Sequence, residues 1–571
     1  MKKIVSLALV LALLSPICAF MLSVDTGAVS FSFATTSPFD LSKAGVKPGD
    51  DSAHGNHQTR TVHTSHGDYA AYITGTYTDS AGQTVNKWSL IKIDPASRAA
   101  TVVFTGEKYY DSSQVSLLVD KDENVWAITS TSDSRRNITT REAFDCRAHK
   151  LDAKTGTVTS YTSIINGGAA DGYGYSQSFY DEYNDRILVM HAGGDYVKGR
   201  PDGASLNWTI FSLKDNSWQS RVRYIKIPAR HCYFYGYFDE NGGFMLLGQR
   251  DIKAVSIGYP EIGDDTGIST SDRQYMQENG ITRWAANYSW DQLDLYYFPN
   301  VTLSKAYTHN VVEADFSKVT GTQTERFTFE KRLTNYYPAN QNNNGGDMLY
   351  TSDIDGRKIL HITYNIAYIQ AAMDRSKCSE STWRHQVWDV TDPMNVQKIY
   401  DLPIVIDGSI ADMNLYGGGF NFRLYRDSNN QMYLISGNRG AVSVFAIIKG
   451  ADETYTYKRI GAAKTLSNMT GDLISISSHR GGSKTDDDTL NILYRTSGGS
   501  YCFTQCKIDF FDYQKGDANA DKIVSAVDSY YIRAYLAGKG VSIESDFADV
   551  DSDGTVSAKD SLLLKKKLVG Y

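Results

Sequence analysis

Residues 115–129 read Val115-Ser-Leu-Leu-Val119, Asp120-Lys-Asp-Glu-Asn124, Val125-Trp-Ala-Ile-Thr129. Two short apolar runs flank a turn of Asp, Lys, Glu and Asn. Runs of this length, bounded by turn residues, predict the two strands of an antiparallel hairpin. The unit recurs along the chain. Ser178–Tyr180 and Ile187–Met190 flank the turn Asp181–Arg186, and Tyr233–Phe238 and Phe244–Leu247 flank Asp239–Gly243. Met348–Tyr350 and Ile359–Thr363 flank Ser352–Lys358, and Phe420–Tyr425 and Met432–Ile435 flank Arg426–Gln431. Leu473–Ser477 and Leu490–Tyr494 form the last copy, around a longer turn. His66–Thr74 with Trp88–Ile93 begins the series less clearly.

A second hairpin usually follows the first, as in Ala148–Leu151 with Thr157–Tyr161, Trp208–Leu213 with Trp218–Tyr224, and His385–Val390 with Val396–Tyr400. Two hairpins make a four-stranded antiparallel unit, and the starts between residues 58 and 511 number seven. Four-stranded sheets repeated around an axis are a β-propeller, which protects strand edges by radial packing. The expected fold is therefore mainly β: a seven-bladed propeller over residues 58–511. The same hairpins are also compatible with a β-sandwich or a β-helix. Gln249 to about Ser304 reads as an insertion in the fourth unit. The last unit lacks a fourth strand, and an N-terminal strand, such as Gln58–Val62, is expected to close the ring.

Composition agrees with this class. Of 571 residues, 41% are hydrophobic and 22% charged, with 39 Tyr and 47 Gly but 11 Pro. Mean hydropathy is -0.37. These values exclude a polytopic membrane protein and a wholly disordered chain. Tyrosine suits pleated, half-buried strands. A net charge of -7 gives no basic surface for nucleic acid, so neither nucleic acid nor a membrane is an expected partner.

Met1-Lys2-Lys3 followed by the apolar run Ile4–Leu14 and Ser15-Pro16-Ile17-Cys18-Ala19 reads as a secretory signal peptide over residues 1–19. Cleavage nearer Ala28 is the alternative, and Ser15-Pro16-Ile17 fits poorly before a lipidated cysteine. Residues 20–57 are an N-terminal segment. Without Cys18, five cysteines remain at 146, 232, 378, 502 and 506, an odd number that argues against a disulfide framework. Most read as small buried apolar residues. One bridge among Cys146, Cys232 and Cys378 is left open.

Near the end, two segments repeat at an interval of 32. The first is Asp517-Ala-Asn519-Ala-Asp521-Lys522-Ile523-Val524-Ser525-Ala526-Val527-Asp528; the second is Asp549-Val-Asp551-Ser-Asp553-Gly554-Thr555-Val556-Ser557-Ala558-Lys559-Asp560. Oxygen-bearing side chains fall at loop positions one, three, five and twelve, with Ile523 or Thr555 offering a backbone carbonyl at seven. Alternate residues of a tight loop can converge on one calcium ion. The candidate ligands are Asp517, Asn519, Asp521, Ile523 and Asp528, and Asp549, Asp551, Asp553, Thr555 and Asp560, giving two sites. The sharp turn at position six favours Gly554 over Lys522, so the second loop is the better formed. An apolar helix is expected after each loop, carrying Tyr531, Ile532, Tyr535 and Leu536 or Leu563, Leu564 and Leu568.

These repeats closely resemble a type I dockerin over residues 515–571, nearer the ruminococcal than the clostridial kind, because the clostridial Ser/Thr pair is absent. The resemblance implies calcium-dependent docking onto a cohesin module of a scaffoldin, and a secreted, cellulosome-associated protein that handles plant polysaccharide. It also implies that cohesin selection lies at Ala526, Val527, Arg533 and Ala534, and at Ala558, Lys559, Lys565 and Lys566.

In a propeller, the loops leading into inner strands share one face with the loops leaving second strands. Residues assigned there are rich in Tyr, Arg and His and poor in carboxylates. His66, Tyr175, Arg230, His231 and Tyr337 are the catalytic candidates. Arg would neutralise a uronate carboxylate, His or Tyr would act as base and Tyr as acid, as β-elimination of an acidic, pectic polysaccharide requires. The region thus resembles propellers of the polysaccharide-lyase and glycosidase kind. Hydrolysis would need two facing carboxylates, with Asp68, Asp111 and Asp251 as candidates. A non-catalytic carbohydrate-binding propeller is the third reading.

Overall fold

The computed structural model describes residues 30–569, except 36–37, 49–58, 81, 83, 110–114, 132–142, 167–171, 194–203, 220–222, 228–230, 254–287, 313–340, 353–355, 370–377, 412–421, 428–430, 439–440, 451–453, 461–463, 466–468, 477–488, 497–498, 512–515, 520–523, 544 and 552–553. The chain divides into two compact units: residues 34–507, and residues 1–33 with 508–571.

Among the described residues, seven antiparallel sheets of four or five strands follow one another in chain order, beside one two-stranded ribbon of Val405–Ile406 and Ser409–Ile410, so the chain folds as a seven-bladed β-propeller. Blade one has the strands Thr61–Thr64, Gly67–Thr78, Thr84–Asp94 and Ala99–Tyr109, from the inside out. Blade two has Ser116–Val119, Val125–Thr131, Ala143–Leu151 and Val158–Asn166. Blades three to six begin at Gly172–Asp181, His231–Phe238, Gln341–Ser352 and Phe422–Arg426, and blade seven at Met469–Ile476.

The quoted hairpin shows why these sequences form blades. Its strands pair Val119 with Val125 and Leu117 with Ala127. Leu117, Val119, Val125 and Ala127 pack against Ala71, Trp88 and Leu90 of blade one. The alternate residues Leu118, Trp126 and Ile128 pack against Ile187, Val189 and Phe211 of blade three. Successive strand residues face opposite sides. A blade with a neighbour on each side buries both, and Leu117–Val119 and Val125–Ile128 are accordingly apolar without interruption. Similar clusters join blades three and four, four and five, and five and six. Cys146, Cys502 and Cys506 are buried within this framework, and the side chains of Cys232 and Cys378 lie outside the described residues.

One aspartate organises the turn after the inner strand. Asp120 Oδ1 accepts from the backbone N–H of Asp122 (3.0 Å) and Asn124 (2.9 Å), while Oδ2 accepts from Trp126 Nε1 (2.8 Å). Asp239 Oδ1 accepts from Asn241 and Gly243 N–H and Oδ2 from the Tyr297 hydroxyl. Asp427 accepts from Gln431 N–H and the Tyr433 hydroxyl. Asp181, wholly buried, accepts from Tyr183 and Asn184 N–H and from Arg186 Nε at 2.6 Å.

Ring closure differs from expectation in its residues. The outer strand of blade seven is Ser30–Thr35, next to Tyr501–Phe511, with Phe39 opposite Phe503 and Asp40 opposite Cys502. Gln58–Val62 does not supply it, because Thr61 and Val62 belong to the inner strand of blade one. Phe39, Leu41 and Val46 pack with Tyr72, Ile91, Leu493 and Phe503, so the segment before blade one seals blades one and seven together. The fourth-blade insertion is also shorter than expected. Regular strand continues to Lys253 and resumes as Tyr288–Phe298, the blade's third strand, so only the stretch between them is additional.

The second unit includes helices α1 (Ala526–Leu536), α2 (Ser545–Ala548) and α3 (Ala558–Leu568). Ile532 and Leu564, related by the 32-residue interval, meet in its core with Ala518 and Ala548. The Ser529 and Ser561 hydroxyls, similarly related, bond each other at 2.8 Å. The apolar stripe is narrower than predicted: Tyr535, Leu536 and Leu568 stay exposed, because the α1–α3 contact reaches only the face of Ile532 and Leu564. Among the described residues, no helix is long and apolar enough to cross a membrane.

Removing a turn aspartate strands buried donors, among them the Arg186 guanidinium. Asp181→Ala is therefore expected to cost about 2–4 kcal/mol in chemical denaturation. A loss under about 0.5 kcal/mol, the range for surface changes, would show that the turn does not depend on it.

Candidate functional site

The second acidic loop is the best-defined candidate site. Asp549 follows α2, its N–H bonded to Ser545 O at 3.0 Å. Its Oδ2 accepts from Gly554 N–H at 2.8 Å. Gly554 has φ of 84°, the left-handed conformation that a residue without Cβ adopts readily, so the glycine expected at position six is required there. Asp560, fully buried in the first turn of α3, ties the loop's ends together. Its Oδ1 accepts from Val550 N–H (2.7 Å) and Asp551 N–H (3.2 Å), and its Oδ2 from Ser557 N–H (2.7 Å) and Ser557 Oγ (2.9 Å).

As a result, one oxygen each of Asp549, Asp551 and Asp560 lies within 4.8 Å of the others. Three convergent carboxylates with a tight glycine turn fit a hard, oxygen-seeking cation such as calcium. Asp553 lies outside the described residues. The backbone of Thr555, at position seven, lies between Gly554 and Val556 in the loop's described second half.

The first loop repeats the framework. Asp528 Oδ1 accepts from Asn519 N–H (3.2 Å) and Oδ2 from Ser525 N–H (2.8 Å), while Ser525 Oγ accepts from Val527 N–H (3.1 Å) and caps α1. Asp517 and Asp528 are fully buried. Asp521, Lys522 and Ile523 lie outside the described residues.

On the helices, Ala526, Val527, Arg533, Ala558, Lys559, Lys565 and Lys566 are exposed. Ala534 is not: at 5% exposure it is buried and has little surface for a partner.

The propeller candidates separate. His66 lies in the two-residue turn set by the pairing of Thr64 with Gly67. The inner strand begins at Thr61, not at His66, so this turn is at the end opposite the loops that lead into inner strands. There His66 Nε2 stands 3.6 Å from Glu123 Oε2. His231 does begin the inner strand of blade four, but it is fully buried. Its Nε2 contacts Asp294 Oδ2 (2.8 Å) and the Tyr296 hydroxyl (3.2 Å) inside the blade. Tyr175 lies on the inner strand of blade three, where the register shifts between Tyr173 and Gln177. The side chain of Tyr175, and Arg230 and Tyr337 altogether, are outside the described residues. Asp111 is outside them too, as is the side chain of Asp251. Asp68 serves as a clasp: its carboxylate holds His63 Nδ1 (2.5 Å), Asn491 Nδ2 (2.7 Å) and Gln505 Nε2 (2.7 Å), joining blade one to blade seven.

Sequence reasoning missed a buried polar seam at blades five and six. His385 Nε2 and His361 Nδ1 are 3.0 Å apart, and His385 Nδ1 is 2.8 Å from the Tyr457 hydroxyl. One proton per ring satisfies both contacts, in either direction along Tyr457, His385 and His361. On the other side of the blade, Asp401 receives Arg384, Gln386 and Tyr364. His385 and His361 lie two positions from ordinary apolar core residues on adjacent strands. Nothing in their local pattern marks the pairing, which depends on the register Thr363 with His385 and His361 with Val387.

Comparison with known proteins falls into two parts. Residues 515–569 match the dockerin type I domain family, so the C-terminal unit of α1, α3 and the paired acidic loops contains a dockerin domain. No curated protein matches the chain. Among solved structures, a polysaccharide lyase, Uly1, is 11% identical with a TM-score of 0.43, over 83% of this chain and 98% of that one. An alpha-L-arabinanase of Penicillium chrysogenum complexed with arabinobiose is 10% identical with a TM-score of 0.32, over 68% and 92%. A sialidase of Trypanosoma rangeli in complex with sialic acid is 10% identical with a TM-score of 0.34, over 84% and 60%. At these values no residue role transfers.

Burial pushes His385 down to about 3 and His149 down to about 4. The unfolded chain protonates these rings near 6.5, whereas the folded chain does not. Their contribution is therefore complete above about pH 6.5 and is lost as pH falls, by about 1.4 kcal/mol per pH unit for each ring. Denaturation midpoints between pH 7 and 5 should fall accordingly; a flat profile would contradict neutral, buried rings.

Proposed function

We propose that this protein is a secreted component of a cellulosome-type complex, docked by its C-terminal domain and acting through its propeller on plant cell-wall polysaccharide. The carboxylate cluster of Asp549, Asp551 and Asp560 within the dockerin domain carries the docking half of the reading. Two calcium ions are assigned, one to Asp517, Asn519, Asp521, Ile523 and Asp528, the other to Asp549, Asp551, Asp553, Thr555 and Asp560. The ion neutralises the converging carboxylates and holds each loop against its helix. The docking surface runs over the exposed Ala526, Val527 and Arg533 of α1 and Ala558, Lys559, Lys565 and Lys566 of α3. Tyr530 and Leu562, equivalent by the 32-residue interval, are both more than half exposed between them, as a partner-binding helix face would be. The first face carries one cation, Arg533, among apolar and aromatic residues, whereas the second carries three, Lys559, Lys565 and Lys566, which favours one docking orientation over two equivalent ones.

For the propeller, the favoured reaction is β-elimination on an acidic glycan. Arg230 would pair with the uronate carboxylate and lower the barrier to removing the neighbouring proton. Tyr175 and Tyr337 would serve as base and acid. The C–H electrons form the new double bond as the C–O bond to the leaving sugar breaks, and that oxygen takes a proton. His66, at the far turn, and His231, buried, take no direct part in this reading.

Two measurements test the halves separately. Cohesin capture by the full chain should require calcium and be abolished by chelator. Asp549→Ala should lower calcium affinity at least about tenfold; unchanged affinity would sink the ligand assignment. On a panel of pectic and neutral polysaccharides, pectic substrate should yield unsaturated products absorbing in the ultraviolet. Saturated reducing ends would indicate hydrolysis instead, and binding without product a non-catalytic propeller.

A further inference from the structure

The two acidic loops share a framework but differ in charge at the position just before the last aspartate, Val527 in the first and Lys559 in the second. Lys559, the second residue of α3, reaches back so that its Nζ lies 2.5 Å from Oδ2 of Asp551. Asp551 is one of the three carboxylates that converge in the second loop. Its side chain is 13% exposed and that of Lys559 is 64% exposed, so the ammonium enters the cluster from solvent. The Lys559 backbone is fixed by its N–H bond to Ser557 Oγ at 3.2 Å, and only the flexible four-carbon stem need move. At the equivalent place in the first loop stands Val527, half exposed and uncharged.

An ammonium and a divalent cation cannot both take full advantage of one carboxylate. We propose that Lys559 is a resident competitor for the cation of the second loop. It holds Asp551 until the ion binds, lowers that loop's calcium affinity below what its carboxylates alone would give, and is released onto the exposed surface of α3 when the ion enters. Ion binding thereby adds a free positive charge beside Lys565 and Lys566, on the face assigned to partner docking. Val527, at the equivalent place in the first loop, carries no charge, so this competition belongs to the second loop. This inference rests on the calcium reading above.

Calcium titration of the full chain against a chromophoric chelator tests it. Lys559→Met should tighten one of the two sites about two- to fivefold, the span of a solvent-exposed ion pair, and leave the other unchanged. Lys559→Arg, which keeps the charge, should stay near the wild-type affinity. The proposal fails if Lys559→Met leaves both affinities unchanged or weakens either, or if Lys559→Arg tightens binding as much as Met does. Absence of calcium binding by the wild-type chain would instead overturn the calcium reading itself, and the inference with it.

Discussion

The carboxylate at the end of an inner strand is the contact on which the propeller depends. It accepts backbone N–H groups two and three or four residues ahead, so the chain must reverse at once. Its second oxygen reaches Trp126, Arg186 or Tyr433 on the second strand, or Tyr297 on the third. Hydrogen bonds to a charged acceptor contribute about 1.5–3 kcal/mol each, roughly twice a neutral one. That strength matters because these turns hold residues in the left-handed region without glycine, such as Glu123 at φ 62° and Asp185 at φ 50°. Each turn sets the register of its hairpin. Register in turn decides which apolar residues face which neighbouring blade.

Once register is set, packing between blades follows from alternation along each strand. The ring then needs only closure, and polar contacts supply part of it. Asp68 binds Asn491 and Gln505 across the seam of blades one and seven, where the beginning and end of the propeller meet. Buried polar groups of this kind are costly unless fully paired, and so favour a single arrangement. The histidine pair at blades five and six is a second such point. Burial keeps His385 neutral, which makes that seam sensitive to acid.

The dockerin domain solves a different problem. Each loop-helix unit has one apolar stripe and too little core to stand alone. The 32-residue duplication lets Ile532 and Leu564 bury each other, with Ser529 and Ser561 joined beside them. Asp528 and Asp560 then play the same double role in the two halves, bracing the loop backbone and starting the helix. Because the framework is duplicated and the surface is not, the helix faces are free to diverge in charge, as Val527 and Lys559 do.

Much of this was legible in the amino-acid order. Continuous apolar runs around Asp-rich turns determined hairpins, their number determined seven blades, and Asp spacing with Gly554 determined the acidic loops, because these features are local and repeat at fixed intervals. The candidate funnel was less legible. Whether His66 begins a strand or occupies a turn depends on the pairing of Thr64 with Gly67, and whether His231 faces solvent depends on a strand about sixty residues away that carries Asp294 and Tyr296. The closing strand Ser30–Thr35 likewise has meaning only beside Tyr501–Phe511, at the other end of the chain. Local sequence determined which elements form and how they reverse, since turn hydrogen bonds and strand alternation act within a few residues. Tertiary structure alone decided which side chains are buried, which seams are polar and where the ring closes, since those outcomes depend on partners that only the folded ring brings together.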